Sequence, residues 1–205
     1  MFVQVIQGPV SDAVELRARM DEWLQELAPG ATGWLGSTAG VTADGQFVGV
    51  VRFDTEEHAR ANSDRTEQDQ WWAQTAKIFT AEPTFIESTE VDIDQHGDPD
   101  TAGFVQVMQG RTKDPERVRA LMNDSTTASA MADARPDVIG MVAATYDGGA
   151  YTVVNYFTSE AEARAGEKKD MPAEMAAVMK EMGELEVGAP TFLDITDPWL
   201  SSPDR

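Results

Sequence analysis

The sequence predicts an α+β fold in which one β-α-β-β-α-β unit occurs twice. The first observation is a repeated heptad: residues 2–8 read FVQVIQG and residues 104–110 read FVQVMQG. The second is that the same order of strand and helix signals follows each heptad. The third is a polar segment, rich in turn-forming residues, between the two copies. We therefore predict one repeat at 1–94, a linker at 95–102, and a second repeat with a C-terminal tail at 103–205.

Local signals place the elements of the first copy in order. The heptad carries the β-branched residues of a strand. Asp12, with Glu15 three residues later, forms a capping box that begins a helix with one apolar face. Pro29-Gly30 ends that helix, and Asp44-Gly45 is a hairpin signal. The remaining predicted elements are strands at 34–41 and 46–53, a helix from Glu56, a short helix around Trp71 and Trp72, and a strand at 84–93.

The second copy repeats this order. Asp114-Pro115 begins its first helix, and Asp147-Gly148-Gly149 forms its hairpin turn. Predicted strands lie at 104–110, 138–146 and 150–157, with a short helix at 171–185 and a last strand that begins at Pro190-Thr191-Phe192. Each copy is thus a ferredoxin-like unit, an antiparallel sheet with both helices on one face. The other face needs a cover, and we expect the two copies to cover each other.

Composition limits the function. The net charge of −20 opposes binding to nucleic acid and to anionic membranes, because both require cationic side chains. The absence of cysteine excludes disulfides, thiolate metal sites and cysteine nucleophiles. We find no apolar run long enough to span a membrane, no signal peptide, and no phosphate, dinucleotide or calcium-binding motif. We expect a cytoplasmic monomer or homodimer without metal or cofactor.

Several segments together resemble a known superfamily. They are the two heptads, the strand-to-helix junctions VVRFDTEE at 50–57 and VVNYFTSE at 153–160, and the Pro-Thr-Phe starts of the last strands. They resemble the dimeric α+β barrel superfamily in a fused, tandem form, and within it the antibiotic-biosynthesis-monooxygenase-like domains. The resemblance implies an intramolecular pseudo-dimeric barrel with a pocket between the sheet and the helices of each half. Some members of that family are cofactor-independent oxygenases of polycyclic phenols, and others bind and degrade haem.

Four residues of the first copy are candidates for ligand binding: Gln4, Asn62, Trp71 and Trp72. An amide on the first strand, at Gln4 or Gln7, and an Asn followed by a Trp in the second helical region resemble pocket residues of the oxygenase members. There the Asn amide orients a phenol or stabilises negative charge. The alternative roles are a buried amide that fixes strand register and ordinary core packing. The second copy has Gly166 in place of Asn62, and methionines instead of tryptophans, so the first copy is the better candidate.

Other polar residues carry weaker signals. Haem-degrading members of the family need a histidine after the tryptophan, and residues 73–82 contain none, so we predict no haem. Of the two histidines, His58 occupies a first-turn helix position and His96 lies in the linker. Glu87 and Asp194 are equivalent carboxylates that lie in a pocket, face solvent or pair with a base such as Arg52.

The first helix also differs between the copies. Where the first copy has Trp23, Leu24 and Leu27, the second has Ser125, Thr126 and Ser129. This difference indicates either a polar pocket wall or a looser helix.

The sequence leaves two functions open. One is a small-molecule-binding protein that acts as a cofactor-independent oxygenase of a hydrophobic aromatic substrate, with catalytic residues still to be identified. The other is a non-catalytic binding or stress-related protein without an open active site. An open cavity of roughly 300 Å³ beside Trp71 or Trp72 would favour the first, and tight packing of both rings would exclude it.

Overall fold

The computed structural model of the chain describes residues 1–124, 129 and 132–203. The predicted changes at Ser125 and Thr126 lie outside these residues. The chain divides into two compact units, one formed by Met1–Val91 with Asp197–Arg205 and the other by Asp92–Thr196. In the described residues, no helix has both the length and the apolar character needed to cross a membrane.

The elements follow the predicted order. The strands are β1 (Phe2–Pro9), β2 (Trp34–Val41), β3 (Gln46–Phe53), β4 (Thr84–Ser88), β5 (Glu90–Gln95), β6 (Phe104–Arg111), β7 (Val138–Tyr146), β8 (Ala150–Phe157), β9 (Thr191–Ile195) and β10 (Trp199–Ser201). The α-helices are α1 (Ala13–Glu22), α2 (Glu56–Ser63), α3 (Thr66–Thr75), α4 (Pro115–Met122), α5 (Glu160–Gly166) and α6 (Ala173–Leu185). After α1 the chain continues as a π-helical turn, Trp23–Leu27, and a 3-10 turn, Ala28–Gly30.

Each unit contains one antiparallel five-stranded sheet. The strand order is β10-β2-β3-β1-β4 in the first unit and β5-β7-β8-β6-β9 in the second. Without β10 and β5, both sheets have the strand order of the ferredoxin-like unit, which confirms the predicted fold class of two ferredoxin-like repeats. The predicted Asp12 cap forms, since its side chain accepts from the backbone N–H groups of Val14 and Glu15. The second helix is capped by Thr55, whose hydroxyl accepts from His58 N–H.

The segment at 84–93 was predicted as one strand, and that prediction is wrong. The chain bends at Thr89, so that β4 pairs with β1 while β5 joins the sheet of β7. The C-terminal tail likewise forms β10, which pairs with β2. The first compact unit therefore ends at Val91 and includes the tail from Asp197. Each added strand satisfies backbone groups on an otherwise open sheet edge, and periodicity alone does not reveal which sheet a strand extends.

The side chains of β1 alternate between the two faces of the sheet. Phe2 packs against the helices, in a cluster with Trp23 and Trp71. Val3 and Val5, each about 1% exposed, point to the opposite side. Gln4 and Ile6 share the helix-facing side with Phe2, and this face of the first unit carries the candidate site.

The glycine at the end of each heptad is required by close packing. A Cβ atom at Gly8 would lie 3.0 Å from Cδ1 of Phe79. At Gly110 it would lie 2.5 Å from the hydroxyl of Tyr151, which donates a hydrogen bond of 2.6 Å to Glu186. Burial and the Glu186 carboxylate both raise the pKa of Tyr151. The two copies therefore keep the same glycine next to different neighbours.

Candidate functional site

The first repeat contains a cavity of about 100 Å³ between its sheet and its helices. All four residues proposed from the sequence line it: Gln4, Asn62, Trp71 and Trp72. Its volume is a third of the roughly 300 Å³ that would favour a drug-sized ligand. It is also below the roughly 150 Å³ of an apolar cavity that holds one benzene ring. The two tryptophans thus leave space beside them, but only for a compact group.

Gln4 is held by an ion pair on the neighbouring strand. Its Nε2 donates to Oε1 of Glu87, 2.9 Å away, at the position directly opposite in the β1–β4 pair. Both carboxylate oxygens of Glu87 also accept from Arg60, with an Nη1–Oε1 distance of 2.7 Å and a second bond from Nη2 to Oε2. Arg60 lowers the pKa of Glu87, and Gln4 lowers it further against the effect of burial.

The ion-pair partner of Glu87 is therefore Arg60, whereas Arg52 was the base suggested from the sequence. Arg52 lies on β3, and its Nε is buried without a hydrogen-bond partner among the described residues. The Arg60 guanidinium also lies 5.5 Å from the ring centroid of Phe2. The Glu87 carboxylate is thus one member of a linked set, here called the first triad, formed by Gln4, Glu87 and Arg60.

The second repeat builds the same arrangement. Gln106 Nε2 donates to Asp194 Oδ1 over 2.9 Å, and Arg164 Nη2 donates to Asp194 Oδ2. The Arg164 guanidinium lies 5.1 Å from the ring centroid of Phe104. Because this second triad repeats the first, the hydrogen bond of Gln4 to Glu87 belongs to the architecture of both repeats. A role specific to the first repeat must come from other atoms.

Gln4 and Asn62 each have one amide atom without a hydrogen-bond partner among the described residues. Because a carboxylate only accepts, the NH₂ of Gln4 must face Glu87, and its Oε1 remains an acceptor without a donor among the described residues. Asn62, 8% exposed, accepts from Arg65 through Oδ1 at 3.0 Å, which leaves its Nδ2 as a donor. These two side chains thus offer the cavity one acceptor and one donor between aromatic rings.

The adjacent tryptophans are both fixed. Trp71 donates from Nε1 to the carbonyl of Arg19 at 2.9 Å, and the Arg19 guanidinium stacks 5.9 Å from its ring. Trp72 lies among three aromatic rings, with centroid distances of 5.3 Å to Phe85, 5.9 Å to Phe79 and 6.2 Å to Trp71. Both rings therefore combine core packing with a place in the cavity wall.

Trp23 also lines the cavity, and the sequence analysis did not propose it as a site residue. It begins the π-helical turn, its Nε1 donates to Oε1 of Gln68 over 2.7 Å, and its ring meets Trp34 edge-on at 5.3 Å. A signal was present, because Trp23 is a position at which the copies diverge, to Ser125. Helical spacing assigned it to the core, and it does pack there as well.

Arg60 is the only ionisable side chain among the described residues that line the cavity. The described lining contains no carboxylate and no imidazole, the side chains that most often act as general bases. His58 lies elsewhere, exposed, with its Nδ1 2.6 Å from Asp54 Oδ1, and this contact lowers the pKa of Asp54. Within the described residues, no group of three or more His, Asp or Glu side chains is arranged to hold a metal.

The corresponding position in the second repeat is occupied by a charged side chain. A Cβ atom at Gly166, the counterpart of Asn62, would lie 2.4 Å from Nε of Arg135. Arg135 is held there by Asp137, with Nη2–Oδ2 at 2.8 Å, and its guanidinium lies 5.7 Å from the ring centroid of Phe157. An asparagine at 166 is incompatible with this position of Arg135. The divergence at Asn62 therefore coincides with a different side chain beside this position in the second repeat.

Comparison with known proteins identifies the fold. No protein-family model matches the sequence, and no curated protein matches it. Among solved structures, a candidate monooxygenase from Fusobacterium nucleatum superposes with a TM-score of 0.76 at 8% identity, over 98% of this chain and 94% of that one. A candidate monooxygenase from Lactobacillus acidophilus NCFM gives a TM-score of 0.71 at 10% identity, over 98% and 99%.

A third structure, an anthrone oxidase-like protein, gives a TM-score of 0.64 at 13% identity, over 97% of this chain and 93% of that one. Identities this low show similarity of fold alone. Because the matches cover nearly the whole of each chain, they include both repeats. The chain therefore shares its two-repeat α+β fold with these three solved structures.

Proposed function

We propose that the first repeat binds a compact aromatic molecule that carries both a hydrogen-bond donor and an acceptor. This proposal is carried by the cavity that Gln4 and Asn62 line together with the rings of Trp23, Trp71 and Trp72. Among the described residues, Gln4 Oε1 and Asn62 Nδ2 have no hydrogen-bond partner. Apolar walls with a few placed polar groups are typical of small-molecule sites.

The expected ligand follows from the lining. The volume of about 100 Å³ is below the roughly 150 Å³ of a cavity that holds benzene, so a single six-membered ring is the upper limit and its entry requires the lining side chains to move. A ligand hydroxyl would donate to Gln4 Oε1, and a ligand oxygen would accept from Asn62 Nδ2. A simple phenol offers both functions in one group, so phenols are the first class to test.

A second candidate function is oxygenation of such a ligand by O₂ without a cofactor. The fold likeness to candidate monooxygenases and to an anthrone oxidase-like protein favours it. The absence of a base in the described lining restricts it, because the substrate must already have lost its proton to solvent. Oxygen uptake is then expected only with acidic phenols, and it should rise as the pH passes the pKa of the substrate.

Binding is tested by filling the cavity. Ala59 lines it and is 7% exposed, and Ala163 is its fully buried counterpart in the second repeat. Phenol is titrated by calorimetry, and tryptophan fluorescence is recorded in parallel. Wild type should bind with a fluorescence change, Ala59→Leu should lose binding, and Ala163→Leu should retain it, because only residue 59 borders the cavity.

The two substitutions control for each other, since both add the same side chain at a buried position and both should lower the melting temperature. Equal loss of binding in the two variants would indicate a general effect of destabilisation. Wild-type protein that binds neither phenol nor a panel of substituted phenols would contradict the proposal and favour a repeat filled by its own side chains.

A further inference from the structure

The large side chains around the cavity are not equally constrained. Phe2 and Phe53 stand on strands whose backbones are fixed by the sheet. Trp71 is held by its indole hydrogen bond to Arg19 and by the Arg19 guanidinium, and Trp72 by three aromatic neighbours. Movement of any of these would break several interactions at once.

Trp23 has fewer restraints. Among the described residues its indole makes one specific ring contact, with Trp34, and one side-chain hydrogen bond, to Gln68, and is otherwise held by packing in the core cluster. Gln68 is a half-buried residue of α3 with a long, unbranched side chain. The loss of this single hydrogen bond leaves the Trp23 ring held by packing alone.

The backbone beneath Trp23 is also irregular. Its carbonyl accepts from Ala28 N–H, five residues on, and its own N–H is shared between the carbonyls of Arg19 and Met20. The Arg19 carbonyl additionally accepts from the Trp71 indole, which competes with the regular helical hydrogen bond. Helices become irregular where a side chain inserts into this ladder, and π turns of this kind recur at functional sites.

We propose that Trp23 sets the size limit of the cavity and that Gln68 holds it in the position that admits one ring. Trp23 is thus the specificity-determining residue, and Gln68, which also lines the cavity, positions it. When the Trp23 indole is displaced, the space that it occupied becomes part of the cavity, and the enlarged cavity admits a fused two-ring ligand. This inference rests on the proposed ligand cavity and names the residue that decides which ligands enter it.

The test compares phenol with 1-naphthol, its two-ring analogue, by titration calorimetry on the full chain. Trp23→Leu should bind 1-naphthol roughly tenfold more tightly than wild type does, the order expected when an apolar pocket admits a few more carbons. Gln68→Leu should shift the naphthol-to-phenol affinity ratio in the same direction. Gln68→Glu retains an acceptor for Trp23 and should restore the wild-type ratio.

Trp199→Leu is the matched control. Trp199 is a half-buried tryptophan on β10 that packs against Phe47 and does not line the cavity. It should lower stability and leave the affinity ratio unchanged. An unchanged ratio in Trp23→Leu, or the same increase in Trp199→Leu, overturns the inference while leaving phenol binding by wild type in place. If wild type binds neither compound, the proposed function fails. Whether Trp23→Leu binds 1-naphthol then decides whether Trp23 sets the size limit.

Discussion

The two glutamines of the repeated heptad allow one substitution to separate structure from binding. Gln4 and Gln106 each donate one hydrogen bond of 2.9 Å to a carboxylate that also binds an arginine. Gln→Met at either position removes the amide and keeps a side chain of similar length. The stability cost should therefore be similar in the two repeats, whereas a cost in ligand affinity should follow only the loss of Gln4.

The magnitude follows from the exposure of the carboxylates. Hydrogen bonds to charged groups contribute about 1.5–3 kcal/mol to stability. The side chains of Glu87 and Asp194 are 30% and 39% exposed, so water partly replaces the lost donor, and about 1 kcal/mol is expected for each variant. In a chain of this size that corresponds to a fall of about 2–4 °C in the melting temperature.

The two variants should differ in their affinity for phenol. Loss of the Gln4 Oε1 acceptor removes one neutral hydrogen bond to phenol, which costs about 1 kcal/mol and makes the dissociation constant roughly fivefold larger. Gln106→Met should bind phenol as wild type does. The assay combines urea denaturation with titration calorimetry on the same preparations. If both variants weaken binding equally, or if Gln4→Met leaves affinity unchanged, Gln4 contributes only to the sheet and its proposed contact with the ligand is refuted.

Three further outcomes are expected. Arg60 lowers the folded-state pKa of Glu87, so the contribution of Glu87 to stability is complete above its unfolded-state pKa and is lost as the pH falls through its folded-state pKa. In urea titrations between pH 5 and pH 3, Glu87→Gln should therefore lose less stability than wild type does. Parallel stability curves for the two proteins would contradict this. Because Arg135 occupies the space next to Gly166, calorimetry should give one phenol per chain, and a stoichiometry of two would show that the second repeat also binds. Gly8→Ala should destabilise by about 1–3 kcal/mol, since its Cβ meets the packed Phe79 ring, and an unchanged denaturation midpoint would show that the ring moves freely.

The sequence alone was sufficient for the fold class. The heptads, caps and hairpin signals are local, and each depends on residues a few positions apart, so they predict elements well. The strands at 34–41, 46–53, 138–146 and 150–157 occur with the predicted bounds. Duplication added long-range information, because two matching orders of elements define one unit without any knowledge of contacts.

Comparison of the copies also pointed to the candidate site. Gln4, Asn62, Trp71 and Trp72 line one cavity, and the last three lie where the second copy diverges. Divergence identified these positions but not their roles. Gln4 is repeated in both copies, and only the geometry of the triads separates its structural Nε2 from the Oε1 that remains available.

Tertiary structure decided the features that depend on residues far apart in the chain. The partner of Glu87 is Arg60, 27 residues away, where the sequence suggested Arg52. Trp23, which lines the cavity, donates a hydrogen bond to Gln68, 45 residues away. The cavity volume is set by ring packing that no periodicity encodes, and β5 and β10 joined sheets that their local sequence does not specify. Local backbone preferences determine which elements form, whereas the filling of space between them determines which side chains meet and how much room is left for a ligand.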